Sequence, residues 1–296
     1  MPGSATDTEP VATFDQKVDA WIVDDAEACK ALLVHDSLVP PPYAELYAEL
    51  TAMFSGRLAT RLMAEVTPGT YQRRVISPSA LFFTDPGFPT KDKTLVLAFA
   101  GRQQRLMIPN VLFLQGLSAK HYDIVLLSDP SQHHFKKGCP GYADSFMGLV
   151  NALERDMPRA NYRRTVAFGV SMGGLPAIRY ALVTGVERGI CVGARASWDI
   201  YRLLIGDAPP HFYDPICACS KLDHPGLVFV YGADNEKDRD QARDFSKLLG
   251  AQTVEVPEVS SHNILATMLE SRTLGPFLDQ LFRAKAARFA WSVAHG

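Results

Sequence analysis

Ser171 is the residue around which a reaction can be built. It sits in Thr165-Val-Ala-Phe-Gly-Val-Ser-Met-Gly-Gly-Leu-Pro-Ala, a β-branched apolar run that passes directly into a helix-forming stretch, and the five residues from Gly169 to Gly173 match G-x-S-x-G. A serine on a sharp strand-to-helix turn needs neighbours without Cβ atoms, and Gly169 and Gly173 supply them, with Gly174 adding further room. The turn lifts the hydroxyl clear of a sheet. The helix N-terminus behind it offers unpaired N–H groups and a partial positive charge, which suit an alkoxide or a tetrahedral oxyanion. A glycine pattern this short arises by chance, so its weight comes from the strand and helix on either side.

With strand, serine turn and helix in this order, the chain resembles the α/β-hydrolase superfamily, and the likeness in element order runs from about Tyr71 to Trp291. The resemblance implies the chain order nucleophile, acid, base. That leaves His211, His224, His262 and His295 beyond Ser171. His262 lies in Val259-Ser-Ser-His-Asn-Ile-Leu, between the last expected strand and the C-terminal helix, where the superfamily carries its base. His211 and His224 flank a proline-rich loop, His295 is in the tail, and all three are expected on the surface.

An imidazole accepts the serine proton only if its other nitrogen is held, usually by a carboxylate that also stabilises the imidazolium. Asp234 is the expected acid, at the carboxyl end of Leu227-Val-Phe-Val-Tyr-Gly-Ala-Asp, where the resembled proteins commonly place it. Asp238 competes from the adjoining charged stretch with Glu236 and Asp240, and Asp199, in Arg195-Ala-Ser-Trp-Asp, offers a third position. Oxyanion donors are expected at the backbone of Met172, next after the nucleophile, and of Arg102, in Phe99-Ala-Gly-Arg-Gln-Gln-Arg-Leu. That loop departs from the familiar His-Gly form. Its side chains Arg102 and Arg105 are either surface groups or contacts for an anionic substrate.

The resemblance implies a serine hydrolase of the esterase or thioesterase kind, working through an acyl-enzyme on a small acyl substrate without a cofactor. An alcohol or sugar acceptor would make it an acyltransferase, and some bacterial hydrolase-like proteins with a similar Gly-Val-Ser-Met-Gly-Gly stretch are associated with surface-glycan acylation. The contrasting reading is a catalytically silent binding protein that keeps the fold.

Two other clusters look chemical. His133-His134 with Lys136, Lys137 and Cys139 lacks a second ligand group at usable spacing, so no metal is expected there, although the loop follows an expected strand and can line a pocket. Cys217-Ala-Cys219 lacks the C-x-x-C spacing of a redox pair. Trp198, Tyr201, His211, Phe212 and Tyr213 fall in a long connection that suits a pocket wall.

The positioning elements follow from periodicity. Phe14–Leu33 and Tyr43–Met63 have helical spacing, on either side of Pro40-Pro41-Pro42, and read as an N-terminal helical extension over residues 1–70. From residue 71 to 296 one α/β domain is expected. Its strands are Arg73–Ser77, Ala80–Thr84, Thr94–Ala100, Asp123–Leu127, Thr165–Val170, Gly189–Gly193, Leu227–Tyr231 and Thr253–Val256. Between them lie helices over Ala143–Asp156, Met172–Val183 and Lys237–Leu249, and a last helix runs from about Leu265 to Trp291, with a possible break at Gly275-Pro276. The alternation predicts a mostly parallel sheet with helices on both faces.

Composition bounds the rest. The 296 residues are 47% hydrophobic with a formal charge of −2, so no whole-molecule field attracts nucleic acid or an anionic membrane. Five cysteines and a polar start without a basic-then-apolar leader point to reduced thiols and a cytoplasmic protein, and no apolar run approaches bilayer-spanning length.

Overall fold

The computed structural model describes residues 71–108, 110–194 and 226–283. The extension expected over 1–70, the connection carrying Trp198, Asp199, Tyr201, His211, Phe212, Tyr213, Cys217 and Cys219, and the tail with His295 lie outside them.

Eight strands form one sheet: β1 (Gln72–Ser77), β2 (Ala80–Thr84), β3 (Thr94–Phe99), β4 (Tyr122–Leu127), β5 (Arg164–Val170), β6 (Arg188–Val192), β7 (Leu227–Gly232) and β8 (Gln252–Val256). Their order is β1-β2-β4-β3-β5-β6-β7-β8. The first two strands run antiparallel to their neighbours, and all pairs from β4 to β8 are parallel. The central strands β3, β4 and β7 are buried along their whole length, which is why they read as continuous apolar runs, whereas edge strand β8 alternates.

Helices cover both faces. On one lie α2 (Phe146–Asp156), α3 (Gly174–Thr184) and α4 (Glu236–Leu249), whose apolar sides join Leu95, Leu97, Phe99, Phe229 and Tyr231 in a single core cluster. On the other, Phe168 of β5 stacks on Phe113 of α1 (Asn110–Gln115) at 5.6 Å between centroids and meets Phe282 of α6 (Leu274–Arg283) edge-on at 5.3 Å. Between β8 and α6 runs the short α5 (Ile264–Glu270). This is the α/β-hydrolase fold.

The single long C-terminal helix is a correction. Within the described residues it is two helices, interrupted at Ser271–Thr273, where Arg272 adopts a φ of 58°, and not at Gly275-Pro276. Pro276 stands in the first turn of α6, where the N–H it lacks would have had no helical partner. Helix α1 had no expectation attached to it.

The topology sets where chemistry can occur. From β3 the chain runs outward to β4 on one side, whereas from β5, on the other side of β3, it runs to β6 in the opposite direction. That reversal opens a crevice at the carboxyl ends of β3 and β5, the usual ligand position in open α/β sheets. At the opposite end of the strands, Lys93 and Asp123 form a fully buried ion pair at 2.8 Å, and Lys93 Nζ also donates to the Asp85 carbonyl at 2.6 Å.

Candidate active site

Ser171 follows β5 with φ 51°, in the left-handed region that a side-chain-bearing residue rarely enters. What holds it there is the close approach of strand and helix. A Cβ on Gly169 would lie 2.1 Å from the Gly173 carbonyl oxygen, and one on Gly173 would lie 2.2 Å from the Phe99 carbonyl oxygen. The turn therefore packs to backbone contact against β3. Residues Ser171–Gly173 form a short 3-10 turn, and α3 starts at Gly174, two residues later than expected.

Ser171 Oγ lies 2.8 Å from His262 Nε2, and His262 Nδ1 lies 2.6 Å from Asp238 Oδ2. A ring nitrogen that faces a carboxylate carries the proton and donates it, which leaves Nε2 as the acceptor for the serine hydroxyl. His262 comes from the loop between β8 and α5. It reaches Ser171 across the end of β6 because Gly193, at φ 61°, has no side chain: a Cβ there would lie 3.0 Å from His262 Cε1.

The carboxylate that meets His262 is Asp238, not the expected Asp234, and the reason is helical geometry. After β7 the chain turns, with the Asn235 N–H donating to the Gly232 carbonyl at 3.1 Å, and Asp234 is exposed while its N–H is taken by the Val259 carbonyl at 3.1 Å. Asn235 then caps α4, accepting from the Asp238 N–H at 3.1 Å. Asp238 shares the buried face of α4 with Ala242 and Phe245, and its side chain has no solvent exposure. The helical spacing of 238, 242 and 245 is a signal already present in the sequence. Asp199 is outside the described residues.

The cleft beside Ser171 has a volume of about 600 Å³ and is lined by both expected oxyanion-donor residues, Arg102 and Met172. Met172 occupies the first turn after the serine, where N–H groups have no intrahelical partner. A Cβ on Gly101 would sit 3.4 Å from Ser171 Cβ, so the Gly101–Arg102 backbone passes directly beside Ser171. Gly101 N–H itself is engaged, donating to the Arg105 carbonyl at 3.0 Å.

The loop after β4 also reaches the site. Asp129, fully buried, accepts from the N–H groups of Ser131 at 3.1 Å, His133 at 2.9 Å and Phe135 at 2.8 Å, and from the Ser131 hydroxyl. These bonds sustain left-handed φ values at three non-glycine residues, Gln132, His134 and Phe135, a strain of the kind concentrated at functional sites. His134 Nδ1 donates to the Met172 carbonyl at 3.0 Å, and Gln132 and His134 line the cleft. Burial holds the His134 imidazole below its usual pKa, against the opposing pull of the Met172 carbonyl. The part played by His134 at the nucleophile turn had no sequence expectation. Its nearest signal was the position of the loop after a buried strand. Among the described residues no group of three or more His, Cys, Asp or Glu side chains is arranged to hold a metal, and no helix is long and apolar enough to cross a membrane. Cys191, beneath the turn, is fully buried, and burial first and the Asp238 charge second push its thiol pKa up.

No protein-family model matches the chain, and no curated protein matches it significantly in sequence. Solved structures that resemble it include the dienelactone hydrolase from Anabaena variabilis, at 15% identity over 72% of this chain and 97% of that one with a TM-score of 0.48. An esterase from the fungus Rhizomucor miehei is 11% identical over 84% of this chain and 98% of that one, with a TM-score of 0.49. The fluorophosphonate-binding serine hydrolase F of Staphylococcus aureus is 15% identical over 70% of this chain and 97% of that one, with a TM-score of 0.42.

Proposed function

We propose that this protein is a serine hydrolase that cleaves an ester or thioester through an acyl-enzyme, with Ser171 as nucleophile, His262 as general base and Asp238 as the orienting acid. The observation that carries this reading is the unbroken line of contacts from Ser171 Oγ through both nitrogens of His262 to the buried Asp238 carboxylate. His262 Nε2 takes the hydroxyl proton as Oγ attacks the carbonyl carbon, and the charge gained by the imidazole faces Asp238. The oxygen of the tetrahedral intermediate is received by the backbone N–H groups of Met172 and Arg102, a contribution of about 3 kcal/mol per donor. Collapse expels the alcohol or thiol with the proton returned by His262, and water repeats the sequence on the acyl-enzyme.

Labelling with a fluorophosphonate tests the assignment. The wild-type protein is expected to take one adduct on the peptide containing Ser171, and Ser171→Ala to take none. A folded wild type that stays unlabelled, or a label that persists in Ser171→Ala, refutes it.

A further inference from the structure

The charge on the described lining of the cleft is of one sign. Among the described residues lining it are two arginines, Arg102 and Arg105, and no aspartate or glutamate. The carboxylate of Asp238 stands behind His262 with no exposure and does not line the cleft. Both arginines belong to the turn whose backbone passes beside Ser171, so their side chains originate within a few residues of the reacting atoms. Arg102 Nε donates to Gln132 Oε1 at 2.9 Å, and Arg105 donates through Nε at 3.1 Å and Nη2 at 2.8 Å to Gln103 Oε1. Neutral amide oxygens thus help to orient both guanidinium groups.

The supporting backbone is braced as well. Besides the Gly101 to Arg105 bond, Gln104 Nε2 donates to the carbonyls of Arg102 at 3.1 Å and Asp129 at 3.0 Å, which ties this turn to the Asp129 loop. Two of its residues, Gln104 and Met107, hold left-handed φ values of 59° and 66°. A pair of cations on a fixed support loses little freedom when an anion arrives, and the guanidinium fork matches the two oxygens of a carboxylate.

From this geometry we infer that the substrate is an ester or thioester bearing a carboxylate, which Arg102 and Arg105 receive while Ser171 attacks. The inference rests on the hydrolase reading and names its substrate class.

The test uses two matched pairs. Hydrolysis of 4-nitrophenyl hemiglutarate against 4-nitrophenyl valerate places the charge on the acyl side, and 4-acetoxybenzoate against 4-acetoxybenzamide places it on the alcohol side. The readout is the anionic-to-neutral ratio of kcat/KM in a variant divided by the same ratio in wild type, so intrinsic ester reactivity and any general loss of activity cancel. Arg102→Ala/Arg105→Ala is expected to lower the ratio tenfold or more in at least one pair, and that pair identifies the side that carries the charge. Arg105→Glu, at a half-buried position, gives a second route should the double variant fail to fold; it changes the charge by the same two units and is expected to lower the ratio by a similar factor. Ratios unchanged within threefold in both pairs overturn the inference. Each protein is labelled with fluorophosphonate in parallel. Retained labelling with unchanged ratios removes the substrate class alone, whereas absence of both labelling and turnover in the wild type removes the hydrolase reading and this inference with it.

Discussion

Replacing Asp238 by asparagine isolates the contact that distinguishes the two candidate acids. Asparagine preserves the size of the side chain but removes the charge opposite the imidazolium that forms during attack. With charge centres about 4 Å apart and an effective dielectric near 20, the lost interaction is about 4 kcal/mol, or roughly a thousandfold in rate. A contact of 2.6 Å to a side chain without exposure leaves no room for water to take the place of the carboxylate. The amide can also present an N–H to Nδ1 and favour the wrong tautomer, which extends the expected loss towards about 10⁴. Asp234→Asn, at an exposed position, is expected to stay within about twofold of wild type. The assay is kcat for a short 4-nitrophenyl ester with each variant, alongside its thermal unfolding midpoint so that unfolding is not mistaken for lost chemistry. A folded Asp238→Asn protein within tenfold of wild type would sink the reasoning, and so would a thousandfold loss in Asp234→Asn.

Three further outcomes are expected. Gly193→Ala puts a Cβ 3.0 Å from His262 Cε1 at a φ of 61°, so the imidazole must shift, and a loss of about 10- to 100-fold in kcat is expected with Tm lowered by only a few degrees. Lys93→Met strands the buried Asp123 charge at the far end of the sheet, at a cost of about 3–5 kcal/mol, which for a domain of this size lowers Tm by about 6–20 °C, while kcat of the folded protein at 25 °C is retained. His134 has a lowered pKa when folded, so protonation favours the unfolded chain: its contribution is complete above the unfolded value near 6.5 and is lost as pH falls through the folded value. The drop in Tm between pH 7 and pH 5 is therefore expected to be smaller in His134→Gln than in wild type.

Much of the fold is legible because periodicity and burial speak with one voice along the central strands. β3, β4 and β7 are buried throughout and β5 from Thr165 on, so their apolar runs mark them within a residue or so. The Ser171 turn is legible for a related reason: only glycine tolerates the backbone contacts at residues 169 and 173, and that demand is written in the residue types. Position along the chain favours Asp234 over its competitor Asp238, whereas facing direction decides which carboxylate reaches His262. Asp234 ends the strand segment, but Asp238 lies on the apolar face of the next helix, with Ala242 and Phe245. His134 is a different case. Its contact with the Met172 carbonyl depends on a loop shaped by the hydrogen bonds of Asp129, and neither spacing nor composition encodes a conformation of that kind. The break between α5 and α6 was placed at the wrong residues because proline is compatible with the first turn of a helix.

The route from β8 to Ser171 carries a consequence for how activity fails. The imidazole hangs from a loop that leaves the edge strand β8, and β6 and β7 lie between that strand and the one that carries the hydroxyl. Fraying of that border withdraws the imidazole while the interior stays folded. Turnover should accordingly vanish at a lower urea concentration than far-ultraviolet ellipticity reports unfolding, and coincident midpoints would show that border and interior melt as one.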